Sequence, residues 1–295
     1  MNNNSKRLNI ISYTMMAPWL IVFLVFTVIP ILASFVLSFT YYNMLETPRF
    51  TGVANYLRLM LEDDVFLIAL KNTLLLGIIT GPLGYLLSFV IAWFISDMSK
   101  FTSSWLTFLF YSPSIAGNVY FIWMFIFSSD SVGLLNSQLL ELGIIKEPIY
   151  WLTDPKINIY VCIIVVLWMS MGAGFLAFVA GFKSLNPELF EAGALDGVRN
   201  RWQEMWYITL PQMIPQLLIG AVLSVSGAFA VGYQCMSLTG FPSTDYSTHT
   251  MVLHIYDYGY VRIEMGYASA VAVVLFVFMF ATWKLISKML SKVGS

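Results

Sequence analysis

Six long stretches of apolar residues run through this 295-residue chain and limit what it can fold into. Each is long enough to cross a lipid bilayer as an α-helix, which takes roughly 20 apolar residues. Hydrophobic residues make up 59% of the chain, above the ~45–50% typical of soluble domains. The stretches are Tyr13–Tyr41, Phe66–Ser96, Trp105–Phe127, Ile157–Phe182, Ile214–Met236 and Gly266–Ile286. The sequence therefore predicts an all-α integral membrane protein with six transmembrane helices.

The first stretch is too long for a cleaved signal peptide and lacks a small-residue cleavage site, so it is interpreted as an uncleaved anchor. This divides the chain into an N-terminal tail at 1–12, a first transmembrane helix at 13–41, a core membrane domain at 66–286 and a C-terminal tail at 287–295.

Lysine and arginine are distributed unevenly between the two sides that six spans define. The side with both termini, the 97–104 turn and the 183–213 loop carries nine of the 15 basic residues, and the other side carries six. Because short loops rich in basic residues stay in the cytoplasm, a multi-pass protein with both termini cytoplasmic is expected.

Several functional classes find no support in the residues. No Asp, Glu or His lies in the middle of a span, which argues against ion-coupled transport. Phosphate-binding GxxxxGK[ST] loops and HExxH, GxSxG or CxxC motifs are absent from the sequence, so neither catalysis nor a cofactor is expected in this chain. His249 and His254 lack the i,i+4 spacing of a helical metal pair, and no metal site is expected. A net charge of −1 gives no general attraction to nucleic acid.

The loop between the fourth and fifth stretches has the strongest signal of function. Asn186 suits a helix N-cap, Pro187 the first helical position and Gly197 a sharp turn. A second amphipathic helix then places Trp202 and Trp206 on one face. The pattern predicts a helix–turn–helix that either binds a partner or lies on the membrane surface without one.

EAGALDG and ITLP in this loop resemble the EAA signature of permeases from binding-protein-dependent ABC importers. WYITLPQMIP is typical of the carbohydrate-uptake branch of that family. GLLN at 133–136 and WLTDP at 151–155 resemble its external segment, and GFP at 240–242 and GYASA at 266–270 resemble its last loop and last span.

The resemblance implies a permease of the bacterial cytoplasmic membrane, with an EAA-type coupling helix on the cytoplasmic side between spans 4 and 5. Such a chain lies in membrane lipid and pairs with a second permease, two ATPase subunits and an extracytoplasmic sugar-binding protein. ATP and Mg²⁺ bind the ATPase subunits, so this chain is no enzyme and forms half of the pathway for a sugar or oligosaccharide. The positions implied in ATPase coupling are Glu191, Ala192, Gly193, Asp196, Gly197, Leu210 and Pro211.

Two features depart from the family signature. Gly193 occupies a position that is usually Ala, and one extra residue separates Gly197 from Ile208. Glycine lowers helix propensity by about 1 kcal/mol relative to alanine, a cost that a partner surface could offset. The extra residue is expected to adjust the turn.

A sugar pathway needs hydrogen-bonding and stacking groups near the middle of the membrane. The spans offer such groups without fixed charge, which favours a neutral solute. Similar groups also bond between helices in membrane proteins, and the sequence leaves both roles open. The candidates are Ser114, Asn118, Trp168, Ser170, Tyr233 and Gln234.

The segment from Pro242 to Gly266 is polar and rich in tyrosine, as the rim of a protein interface often is. An aromatic belt at the membrane surface would give a similar composition. Because the resemblance implies a binding protein that meets the chain on this side, contact with it is predicted for Asp245, Tyr256, Asp257 and Arg262.

One alternative of another class stays open at this point. The chain could be a self-contained sugar facilitator or channel without an ATPase partner, with the 186–215 loop as a surface feature. Internal repeats would favour it, and none is visible in the sequence.

Overall fold

A computed structural model describes residues 3–117 and 119–291, and the described chain is mostly helical. It divides into two compact units, one of Met1–Asp63 with His254–Val274 and one of Asp64–Leu253 with Leu275–Ser295. Each unit therefore combines residues that are far apart in sequence.

The first unit begins with apolar helices α1 (Asn3–Phe23) and α2 (Ile29–Leu37), joined by a π turn at Leu24–Val28. Pro30 lies two residues after this turn. Proline has no backbone N–H to continue the α-helical bonding, and helices commonly widen or bend near it. Because α1 begins at Asn3, it includes most of the N-terminal tail that was expected at 1–12.

A small β ribbon follows and makes the fold mostly helical rather than all-α. Strand β1 (Thr40–Tyr41) pairs antiparallel with β2 (Arg49–Phe50), so α2 ends at Leu37 and not at the expected Tyr41. Continuous apolarity up to Tyr41 concealed this end.

The rest of the first unit is α3 (Ala54–Leu61), the end of α15 (Met251–Tyr256), a π turn (Asp257–Val261) and the start of α16 (Met265–Ser291). Gly266 begins α16 against β1: its N–H donates to Tyr42 O at 3.1 Å, and a Cβ there would overlap the Thr40 carbonyl oxygen. This contact gives the glycine of the GYASA sequence a physical reason.

The second unit contains the remaining helices. In chain order they are α4 (Asp64–Ser96), α5 (Lys100–Ile115), α6 (Tyr120–Ile126), α7 (Leu134–Glu141), α8 (Asn158–Met169), α9 (Ala173–Lys183), α10 (Pro187–Leu195), α11 (Arg201–Glu204), a π turn (Met205–Thr209), α12 (Leu210–Gln212), α13 (Ile214–Phe229), α14 (Tyr233–Thr239) and a 3₁₀ turn (Thr244–Tyr246).

Helices α4, α9 and α13 pack on one another. A Cβ on Gly77 would lie 3.0 Å from Phe229 Cζ and one on Gly84 2.8 Å from Ser170 Cβ, so glycines of α4 allow close helix packing.

Four helical stretches are long and apolar enough to cross a membrane, and two bent helix pairs raise the number to six if each pair is one span. The single stretches are Ser12–Leu37, Asp64–Ser96, Asn158–Lys183 and Met265–Lys288. The pairs are Lys100–Ile115 with Tyr120–Ile126, bent by 87°, and Arg201–Gln212 with Ile214–Phe229, bent by 81°. The expected fifth span, Ile214–Met236, is interrupted between α13 and α14.

Asn136 holds together the segment that contains the GLLN and WLTDP sequences. Its buried side chain has five hydrogen-bond partners: the two Nδ2 hydrogens are shared among the carbonyls of Ser128, Asp130 and Ile149, and Oδ1 accepts from the Ile149 N–H and the Trp151 indole N–H. The Asn136 side chain therefore holds the GLLN and WLTDP segments together.

Replacing Asn136 with leucine is expected to lower the free energy of local unfolding of residues 128–151 by about 3–5 kcal/mol, because several buried polar groups lose their partner. Hydrogen exchange followed by mass spectrometry should show faster exchange in that segment. Gln138→Leu removes an exposed amide from the same helix and serves as the matched control. Equal exchange in the two variants would contradict the role given to Asn136.

Candidate functional site

A helix–turn–helix occupies residues 187–204. Asn186 Oδ1 accepts the Glu188 N–H at 3.1 Å and caps α10, and Asn200 Oδ1 accepts the Gln203 N–H at 2.9 Å and caps α11. Between the two helices, Gly197 has φ = +96°, a conformation that favours glycine. The Val198 N–H closes the turn on Gly193 O at 2.9 Å.

Helix α10 has an exposed outer surface. Glu191, Ala192 and Asp196 are exposed, and Leu195 is 89% exposed, more than any other large hydrophobic side chain in the described part of the chain. Burial of this leucine against a partner would remove apolar surface from water, which is favourable. Sequence reasoning missed Leu195, although its place between Glu191 and Asp196 could have marked it.

Helix α11 is attached to the end of α4. Arg201 forms an ion pair with Asp97, and its guanidinium lies 5.1 Å from the centre of the Trp93 ring. Trp202 packs edge-on against Trp93, with the ring centres 5.3 Å apart. The half-exposed ion pair alone contributes about 0–1 kcal/mol, so the aromatic contacts matter for holding the loop to α4.

Gly193 and the segment before Ile208, where the sequence departs from the signature that it resembles, lie close together. The π turn at Met205–Thr209 accommodates one residue more than an α turn, which suits the extra residue before Ile208. Ile208 lies so close to α10 that a Cβ on residue 193 would be 2.6 Å from its Cδ1. Glycine at 193 therefore leaves room for the Ile208 side chain.

A cavity of ≈ 430 Å³ lies at this loop. It is lined by both acidic and basic side chains, including Glu191, Arg201 and Glu204. Farther along, half-buried Leu210 and exposed Pro211 form α12, which leads into α13.

A second cavity, of ≈ 280 Å³, lies where two helical segments are broken, between α8 and α9 and between α13 and α14. Ser114, Ser170 and Gln234 line it together, with Thr80 and Ser224 beside them. Broken helices near polar groups are a common way to build a binding site within a membrane.

The other pathway candidates lie elsewhere. Trp168 lines a separate cavity of ≈ 510 Å³ and packs edge-on against Trp123 at 5.3 Å. Tyr233 is 57% exposed and packs against Tyr120, 5.7 Å between ring centres. Asn118 lies outside the described residues.

The residues predicted to meet a binding protein differ in exposure. Asp245 is exposed with φ = +51° in the second unit, and Tyr256 is 40% exposed in the first. Asp257, also in the first unit, is only 9% exposed and pairs with Arg262 at 2.8 Å. The Arg262 guanidinium also lies 4.4 Å from the centre of the Tyr258 ring. The ion pair between Asp257 and Arg262 thus connects the two ends of the π turn. The sequence did not reveal this pairing.

A buried polar network supports this turn within the first unit. Asp63 Oδ2 accepts hydrogen bonds from Tyr267 Oη at 2.6 Å and Tyr258 Oη at 3.2 Å, and His254 Nε2 lies 3.2 Å from the same oxygen. Burial, and next the charge of Asp63, raise the pKa of the Tyr258 hydroxyl, so it stays protonated as a donor. The network holds residues 254–267 against the end of α3.

A family comparison identifies the class of protein to which this fold belongs. Residues 74–287 match the profile of the family described as binding-protein-dependent transport system inner membrane component. The chain therefore belongs to that family and is the membrane component of a transporter.

Known relatives extend over most of the chain. The probable ABC transporter permease protein YesP of Bacillus subtilis is 32% identical, over 91% of this chain and 86% of its own length. The lactose transport system permease protein LacF of Rhizobium radiobacter is 30% identical, over 88% and 87%. A crystal structure of a bacterial alginate ABC transporter, in complex with an alginate pentasaccharide-bound periplasmic protein, contains a chain of the same fold. Its TM-score is 0.78 at 23% identity, with 99% of this chain and 98% of that chain covered.

Proposed function

We propose that this chain is a permease subunit of an ATP-driven ABC importer and forms half of the membrane pathway for a sugar or oligosaccharide. The observation that carries the proposal is the family match over residues 74–287, which spans both the helix–turn–helix and the uncharged cavity. The names of the relatives support sugars as the solute. Membership of a binding-protein-dependent family argues against a self-contained facilitator.

Six spans and four partner subunits complete the proposal. Each bent helix pair counts as one span, and α10 is the EAA-type coupling helix between spans 4 and 5. The chain pairs with a second permease, two ATPase subunits that bind ATP and Mg²⁺, and an extracytoplasmic sugar-binding protein. ATP-driven closure of the ATPases displaces α10, and the contacts of Trp93 with Arg201 and Trp202 pass the displacement to α4.

Uptake by the purified complex tests this function. Proteoliposomes that contain the complex should accumulate labelled saccharide only with internal ATP·Mg²⁺ and the loaded binding protein outside. Accumulation without ATP and binding protein would instead support a self-contained facilitator.

Both termini and the α10–α11 loop are proposed to be cytoplasmic in the cell membrane. In intact cells, a membrane-impermeant thiol reagent should label Asp245→Cys and leave Arg199→Cys unlabelled until the cells are opened. Both positions are exposed, whereas the native Cys162 and Cys235 are buried and give little background. Labelling of residue 199 from outside would reverse the orientation.

A further inference from the structure

The backbone of residues 244–251, the segment between α14 and α15, is attached to α4 near the start of that helix. Asn72 Nδ2 donates to two carbonyl oxygens of the segment, at 3.2 and 2.9 Å. On the next residue of α4, Thr73 Oγ1 accepts the Met251 N–H at 2.8 Å. Both α4 side chains are buried, so these bonds are shielded from water. Three hydrogen bonds therefore hold the 244–251 segment on α4.

The 244–251 segment has a buried side and an exposed side. Residues 248–251 are at most 1% exposed, and Asn158 of α8 donates to the Ser247 hydroxyl at 2.6 Å. Asp245, which is predicted to contact the binding protein, is exposed. A partner that contacts the exposed side would therefore press on backbone that is fixed to helices on its other side.

The opposite end of α4 holds the α10–α11 loop. Trp93 contacts the Arg201 guanidinium, 5.1 Å from its ring centre, and the Trp202 ring, 5.3 Å between centres. Helix α4 is unbroken between the two attachments and packs on α9 and α13. Thr73 and Trp93 are about 30 Å apart along the helix. All of these residues belong to the second unit.

We propose that α4 is the mechanical link between the two sides of the transporter, with Asn72 and Thr73 as positioning residues. A binding protein that engages the 244–251 segment displaces the start of α4, and the same helix moves the α10–α11 loop at its other end. Such a link needs a continuous path of packed elements, which α4 supplies. The inference rests on the proposed function and specifies the route by which the binding protein controls the ATPase subunits.

The first experiment measures the ATPase activity of the complete complex in proteoliposomes against the concentration of loaded binding protein. Thr73→Val keeps the shape of the side chain and removes the oxygen that accepts the Met251 N–H. Thr73→Ser keeps that oxygen, and Lys71→Gln changes an exposed side chain on the same turn. We expect the maximal stimulation by binding protein to fall about fivefold or more in Thr73→Val, because a buried N–H loses its partner. Thr73→Ser and Lys71→Gln should match the wild type.

The outcomes of this titration separate the α4 link from the function on which it rests. Wild-type stimulation in Thr73→Val would overturn the link. A higher half-saturating concentration with an unchanged maximum would also overturn it, because Thr73 would then only shape the docking surface. If binding protein failed to stimulate the wild-type complex, that result would count against the proposed function itself.

A fluorescent label on the α10–α11 loop gives a second readout that needs no ATP hydrolysis. Arg199→Cys places the label at an exposed position, whereas the native Cys162 and Cys235 are buried. Without ATP and at equal occupancy by loaded binding protein, the emission should change with Thr73 or Thr73→Ser and change less with Thr73→Val. An equal change in all three, or no change in the protein with native Thr73, would contradict transmission through α4.

Discussion

Replacing Leu195 with aspartate is expected to abolish ATP-dependent uptake while the protein still inserts and folds. Leu195 is 89% exposed at the end of α10, so its replacement removes few contacts within the chain. Surface changes of this kind usually alter stability by less than about 0.5 kcal/mol. If an ATPase subunit covers this side chain, the same change buries a charge without a partner, which typically costs about 2–5 kcal/mol in association.

The measurements are ATPase co-purification and uptake, with Leu195→Met as the matched control because it preserves apolar volume. The apparent affinity of Leu195→Asp for the ATPase subunits should fall by roughly 30-fold or more, because about 1.4 kcal/mol corresponds to a tenfold change. Leu195→Met should behave like the wild type. Normal co-purification and uptake in Leu195→Asp would exclude Leu195 from the ATPase interface.

Replacing Gly197 with proline is expected to give a second large loss of uptake, through the turn rather than the interface. Proline holds φ near −65°, and Gly197 requires φ = +96°. The chain must therefore leave its turn between α10 and α11, which destabilises the loop by more than about 1 kcal/mol. The exposed face of α10 would then point away from its present direction.

The graded control for this turn is Gly197→Asn, because asparagine enters the left-handed region more readily than other residues with side chains. Uptake should decrease in the order glycine, asparagine, proline. The amount of protein in the membrane should stay similar in all three, since Gly197 is exposed and lies outside the helices that could cross the membrane. Wild-type uptake in Gly197→Pro would show that the turn geometry is unimportant for coupling.

The helical membrane character could be predicted from the sequence because apolarity over about 20 residues is a strong signal. The breaks within two of these apolar stretches could not be predicted. Ser170–Gly172 separates α8 from α9 inside one apolar stretch, and residues 230–232 separate α13 from α14 inside another. Hydropathy does not detect such breaks; only Gly172 and Gly232, next to the new helix starts, gave a local sign.

The candidate sites were predictable to different degrees. Asn186, Pro187 and Gly197 have local roles that residue type alone defines, and each occupies the cap, first-turn or turn position expected of it. Which polar side chains share a cavity depends on packing between distant helices, so the sequence could not separate Ser170 from Trp168. The pairing of Asp257 with Arg262 depends on a π turn that residue type does not signal.

Site-specific photo-crosslinking from position 195 in the intact complex tests the central claim most directly. A photoreactive amino acid there should form an adduct with an ATPase subunit. The yield of this adduct should decrease when Gly197→Pro is added. The same amino acid at exposed Tyr256 is the control and should form no ATPase adduct. Crosslinking from position 195 to lipid alone, with no ATPase adduct, would contradict the assignment of α10 as the coupling helix of an ATP-driven importer.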